Sequence, residues 1–122
     1  MDYLLQILEK IKNNYALIIG KKSLVKLSDF IAAYDFAIFD ITKEYTLFNS
    51  KFQIFIEYKI PEKNSNKHWS EIILNNYPDD AAFDYFFVCF DEFKELIKTP
   101  EKFDDMLKSN QVKFLSDIKN NI

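Results

Sequence analysis

A single glycine, Gly20, stands among 122 residues, and only three prolines accompany it. Tight hairpin turns draw on glycine to reach positive φ, so a sandwich or barrel of many short strands is disfavoured by turn chemistry alone. Helices joined by polar loops fit this chain better. Its length is that of one domain, spanning residues 1–122, long enough to bury roughly two thirds of the surface its unfolded form would expose. Thirteen Phe and seven Tyr supply bulky core and interface material. The expected fold is a mainly α, single-domain bundle of about five to six helices.

Hydrophobic spacing places most of those helices. Leu4, Ile7, Leu8, Ile11 and Tyr15 keep the spacing of one helical stripe. Asn13 and Asn14 weaken it, and the apolar run over residues 15–20 reads as a connector, or else as a brief strand. Ser23 is suited to cap a helix beginning at Leu24, with Leu24, Leu27, Ile31, Tyr34 and Ile38 as its stripe and Phe30, Ala33 and Ala37 beside it. That helix is expected to act as scaffold, ending before a loop over residues 40–46 with a new cap at Thr42. Strict alternation in residues 52–60 puts Phe52, Ile54, Ile56, Tyr58 and Ile60 on one face, the pattern of a half-buried strand. An α+β variant with a small two-stranded element is therefore the alternative, pairing residues 52–60 with residues 15–20.

The second half of the chain is more regular. Residues 61–67 form a polar loop, and His68-Trp69-Ser70 leads into a short helix closed by Pro78. Asp79 or Asp80 is expected to cap a long helix in which Phe83, Phe86, Phe87, Phe90, Phe93 and Ile97 repeat at helical spacing. Thr99-Pro100-Glu101 combines a cap, a proline suited to the first helical position and a first-turn acid, with Phe103, Met106 and Leu107 on the apolar face. Val112, Leu115, Ile118 and Ile122 suggest a last helix.

Charge is distributed unevenly. Residues 1–78 hold nine acids and ten bases, residues 79–105 nine acids and three bases, and residues 106–122 one acid and three bases. The middle segment, at −6, repels nucleic acid phosphate and would attract a basic protein through electrostatic steering. Lysines are dispersed and arginine does not occur, so the basic, aromatic-interleaved surface used for nucleic acid is missing.

Chemistry-bearing residues are few. One His and one Cys, at positions 68 and 89, fall on different expected elements: Cys89 reads as a buried structural thiol and His68 as a capping or packing residue. Adjacent acids such as Asp79-Asp80 and Asp91-Glu92 point about 100° apart on a helix rather than toward a shared proton or metal. No catalytic, cofactor-binding or metal-binding residues are assigned, and the chain is not expected to be an enzyme. A lone Cys indicates a reducing compartment. Asp2 and Glu9 within the first apolar pattern fit neither a signal peptide nor a membrane span, so the expected location is the cytoplasm.

Two blocks carry a resemblance. Ile19, Gly20, Ser23, Leu24, Leu27, Phe30 and Tyr34, then Trp69, Ile72, Ile73, Asp80, Ala82, Phe83, Phe86, Phe87, Asp91, Glu92 and Phe93, resemble the pattern of immunity proteins encoded beside bacterial polymorphic toxins, of the Maf and contact-dependent inhibition type. Position 33 departs, with Ala in place of Gly. Blocks and spacer together cover about two thirds of the chain. The resemblance implies a helical fold, which favours helix for residues 48–60, and a non-enzymatic inhibitor whose partner is a cognate toxin domain, an EndoU-type ribonuclease by nearest association. The acidic segment and its aromatics supply the expected partner surface, Tyr77, Asp79, Asp80, Asp84, Tyr85, Asp91, Glu92 and Glu95, with neither nucleic acid nor membrane as a partner. The aromatic content also accommodates a symmetric homodimer, and the alternative function is a helical adaptor whose aromatics are all core.

Overall fold

The structure is a computed structural model that describes residues 3–61 and 67–109. Six helices make up the described residues, without a strand among them. They are α1 (Tyr3–Ile18), α2 (Leu24–Thr42), α3 (Leu47–Lys59), α4 (Trp69–Leu74), α5 (Asp79–Ile97) and α6 over residues 100–109. The expected last helix around Val112 to Ile122 lies outside the described residues. Helix α5 is central, packing on α2, α3 and α4, while α4 also touches α2 and α3.

The strand expected over residues 52–60 is not formed. Helix α3 instead buries Phe48, Phe52, Phe55 and Ile56, the i, i+4, i+7, i+8 set of one helical face. Tyr58, which alternation would place inside, is exposed. The reason is tertiary: Phe52 meets Phe48 at 4.4 Å, Trp69 and Phe93 at 5.2 Å and Phe86 at 5.4 Å between ring centroids, and helical spacing alone presents Phe48, Phe52 and Phe55 together. Edge-to-face and offset pairs of this kind add about 0.5–1.5 kcal/mol each beyond burial. A lone strand would have lacked a ladder partner, because residues 15–18 belong to α1.

Other boundaries were also displaced. Helix α1 kinks at Asn14 (φ −148°, ψ 39°) and then continues to Ile18 instead of becoming a connector. Ile19 and Gly20 N–H both donate to the Tyr15 carbonyl, and Gly20 takes φ +91°. A β-carbon there would meet nothing nearer than Lys26 Nζ at 3.8 Å, so the positive φ and not crowding makes glycine the fitting residue. Helix α2 runs through Thr42, which is its last residue and not a new cap; Lys43 in the left-handed region closes it, its N–H reaching the Phe39 carbonyl. The α3 cap is Thr46, which accepts from Asn49 N–H at 3.0 Å and donates to Asp35.

The start of α2 is built as the spacing predicts, with one addition. Ser23, 2% exposed, accepts from Lys26 N–H at 3.1 Å and donates to Asp79 Oδ2 at 2.6 Å. Asp79 Oδ1 accepts from Val25 N–H at 3.0 Å. Asp79 therefore does not cap its own helix. Pro78 holds the α5 cap position with no side-chain cap bond, while Asp79 serves the first turn of α2 from across the bundle. Asp80 accepts from the adjacent Ala81 N–H. The core that these ends frame joins Leu4, Leu8 and Ile11 of α1, Leu24, Leu27 and Ile31 of α2, and the Phe stripe of α5 with Phe103 and Met106 of α6.

Burial alone would raise the Asp79 carboxyl, but the bonds from Ser23, Val25 and Leu24 outweigh it and hold the group below its ordinary value. A depressed folded value means that the contribution is present above the unfolded carboxylate pKa and is lost as pH falls through the folded one. Ser23→Ala should cost about 1–2 kcal/mol, the usual worth of such a cap, in urea unfolding at neutral pH. Asp79→Asn should cost less and should flatten the acid limb of stability against pH below about 4; an unchanged acid limb would refute the shared-carboxylate joint.

Candidate protein-interaction surface

The expected partner surface divides in the structure. Asp80, Asp84, Val88, Asp91 and Glu95 share one outward stripe of α5, with Tyr85 and Glu92 beside it, as steps of three and four residues require. Asp79 is turned inward, to α2. Tyr77 and Tyr85 face each other at 4.6 Å between centroids. Tyr85 is half-buried, and burial together with its hydrogen bond to Cys89 pushes its hydroxyl up to about 12.

The acids of that stripe are largely matched. Lys22 meets Asp84 at 3.1 Å, Lys12 meets Asp91 at 2.8 Å and Lys59 meets Glu92 at 2.5 Å, so α1, the α1–α2 turn and α3 each send a lysine to α5. Within α5, Lys94 reaches Asp91 at 3.4 Å as well as Glu9 of α1, and Glu95 pairs with Lys98 at 2.8 Å. Burial would raise Asp91, yet Lys12 and Lys94 bring it below its usual range; Lys98 lowers Glu95. Each exposed pair contributes only about 0–1 kcal/mol. Their larger effect is on the field, since a lysine within hydrogen-bonding reach cancels most of what each carboxylate would project. Asp91, Glu92 and Glu95 also line a wide cleft of about 1010 Å³ between α3, α5 and α6, where Lys98 and Lys102 share the wall.

A second surface was missed by pattern reading. Helix α2, expected to be scaffold, buries Leu24, Leu27 and Ile31 near its start and leaves the outer side of its far half exposed. Phe36 is 76% exposed, Ile41 77% and Tyr45, just past the helix, 64%. Tyr45 stacks on Phe39 at 4.6 Å, forming a ridge between two hollows. One, of about 520 Å³, is walled by Asp35, Phe36, Phe39, Tyr45, His68 and Trp69; the other, of about 550 Å³, is walled by Tyr3, Tyr34, Ile38, Tyr45 and Leu47 among others. The only signal that could have found this surface was excess: nearly half the circumference of α2 is apolar or small, more than one core-facing stripe needs.

His68 and Cys89 take structural places. His68 Nδ1 accepts from Ser70 N–H at 3.3 Å at the start of α4, and partial burial against Trp69 lowers its pKa. Trp69 is also held through its backbone N–H, which donates to Gln53 Oε1 at 2.7 Å. Cys89 is fully buried, and burial pushes its thiol up to about 11. Among the described residues no three His, Cys, Asp or Glu side chains gather as metal ligands do, and no helix is long and apolar enough to cross a membrane.

Comparison with protein-family models, curated proteins and solved structures finds no match to the chain.

Because a buried thiol raised to about 11 presents almost no thiolate at neutral pH, Cys89 should resist aromatic disulfide reagents in the folded protein. Its modification rate should follow the denaturant dependence of opening. Rapid modification in the absence of denaturant would show that α5 is not packed as described.

Proposed function

We propose that the chain is a non-enzymatic binding protein, a cytoplasmic inhibitor that neutralises a bacterial toxin domain of nuclease type. One observation carries the binding reading: large apolar side chains are held in water by a bundle whose core is already filled. Phe36, Ile41 and Tyr45 are exposed on and just past the far half of α2, and Tyr77 and Val88 just before and on α5. Exposed apolar groups that cluster on a rigid scaffold mark interaction sites more often than scattered ones do.

The toxin partner rests on the resemblance of residues 19–34 and 69–93 to immunity proteins. Most of those positions, among them Leu24, Leu27, Trp69, Ile73, Phe83, Phe86 and Phe93, are buried. They support a shared helical scaffold, and partner choice would reside in side chains outside the motif. A ribonuclease is the partner class that the resemblance favours, since an inhibitor of acidic composition, pI about 5.2, suits the basic surface that an RNA-cleaving domain presents. A helical adaptor would use the same exposed side chains, and only the partner distinguishes it.

Co-expression with the toxin domain encoded beside this chain should restore growth, and His68→Ala should restore it equally, since His68 only starts α4. A folded chain that binds no such toxin and gives no rescue would remove the inhibitor reading and leave the adaptor.

A further inference from the structure

Among the described residues, the outer face of α2 combines exposed apolar side chains with acids that receive no lysine from another helix. Asp29, Ala32, Ala33, Phe36, Ala37, Asp40 and Ile41 are exposed. Between Leu27 and Thr42 the chain has no lysine. Asp35 is engaged by the uncharged donors Thr46 and Asn49. Asp40 meets only Lys43 of its own helix end, at 3.9 Å with both side chains about three quarters exposed. Residues 27–45 carry Asp29, Asp35, Asp40 and Glu44 against Lys43, a net charge of −3 with no lysine sent across from another described helix. On α5 the reverse holds, with three lysines delivered from elsewhere.

We propose that the outer face of α2, from Asp29 to Tyr45, is the docking surface for a basic amphipathic helix on a protein partner. The proposal deepens the binding-protein reading and rests on it, and it moves the contact from α5 to α2. Shape, charge and area each bear on the occupant. Ala33 and Ala37, one turn apart beside Phe36, leave a shallow track along which a second helix can approach closely. The 520 Å³ hollow beside Phe36, with Phe39 and Tyr45 as walls and Asp35 at its side, accepts an apolar anchor whose neighbours are lysine or arginine. Asp29, Asp40 and Glu44 lie on the rim, where opposite charge raises association rate and fixes register.

A second copy of this chain fits less well. Two such faces would bring like charges together. Phe36, Ile41 and Tyr45 leave on the order of 400 Å² in water, taking about 200 Å² for a fully exposed large side chain, the size of a functional patch on a monomer.

The test uses the full chain and a fluorescent synthetic peptide of leucine and lysine, roughly five helical turns long and patterned as an amphipathic helix. A leucine–glutamate peptide of the same pattern is the control. Anisotropy should show saturable binding of the lysine peptide alone. Phe36→Ala with Ile41→Ala should weaken it about tenfold or more, at no cost in folding because both side chains are exposed. Asp29→Asn with Asp40→Asn should weaken it and reduce its salt dependence. Val88→Ala on the α5 face should change nothing. Absence of saturable binding, binding lost through Val88→Ala and untouched by Phe36→Ala, or a concentration-dependent dimer abolished by Phe36→Ala would each overturn the proposal. No toxin enters the experiment, so peptide binding that survives a failed rescue separates this surface from the inhibitor reading.

Discussion

Phe52 is the contact on which the bundle depends. Its ring lies within 6 Å of Phe48, Phe55, Trp69, Phe86 and Phe93, so one side chain of α3 joins α4 and two turns of α5. Such a cluster is non-directional in its hydrophobic part and directional in its ring geometry. It forces α3 to be a helix, since no extended backbone brings positions 48, 52 and 55 to one side. The same cluster seats Trp69, and Trp69 in turn gives the short α4 a reason to exist despite its six residues, too few to persist on local propensity.

Much of this was legible in the chain. The Phe stripe of α5, the Ser23 cap, the proline start of α6 and the capping place of His68 follow from period and cap chemistry, which act within one turn. Residues 52–60 were misread because alternation is also a local signal, and here a three-dimensional cluster overrode it. The end of α1 was misjudged for a related reason: Asn14 does break the helical geometry, but Tyr15 packs on Phe83 and carries the helix past the break.

The candidate surface was less legible still, and the cause is pairing across sequence distance. Acids at 84, 91 and 92 looked free because their lysines lie 62, 79 and 33 positions away. Asp79, the first acid of the same segment, is a structural joint. Counting charge along a chain measures composition, whereas a partner meets the field left after folding has matched near neighbours. Conversely, α2 was read only as scaffold, yet among the described residues its acids receive no lysine from another helix, Asp40 meeting Lys43 at its own end.

The joint at Ser23 and Asp79 gives α2 an unequal character along its length. Its base is bolted to α5 through one carboxylate, and Phe36 lies about 20 Å farther along the axis. Substitutions at the base disturb two helices together; those at the exposed tip positions Phe36 and Ile41 alter what is presented and leave the buried core in place. A lineage of such chains could therefore exchange tip residues freely while keeping its framework, so that new specificities arise without a passage through unstable intermediates.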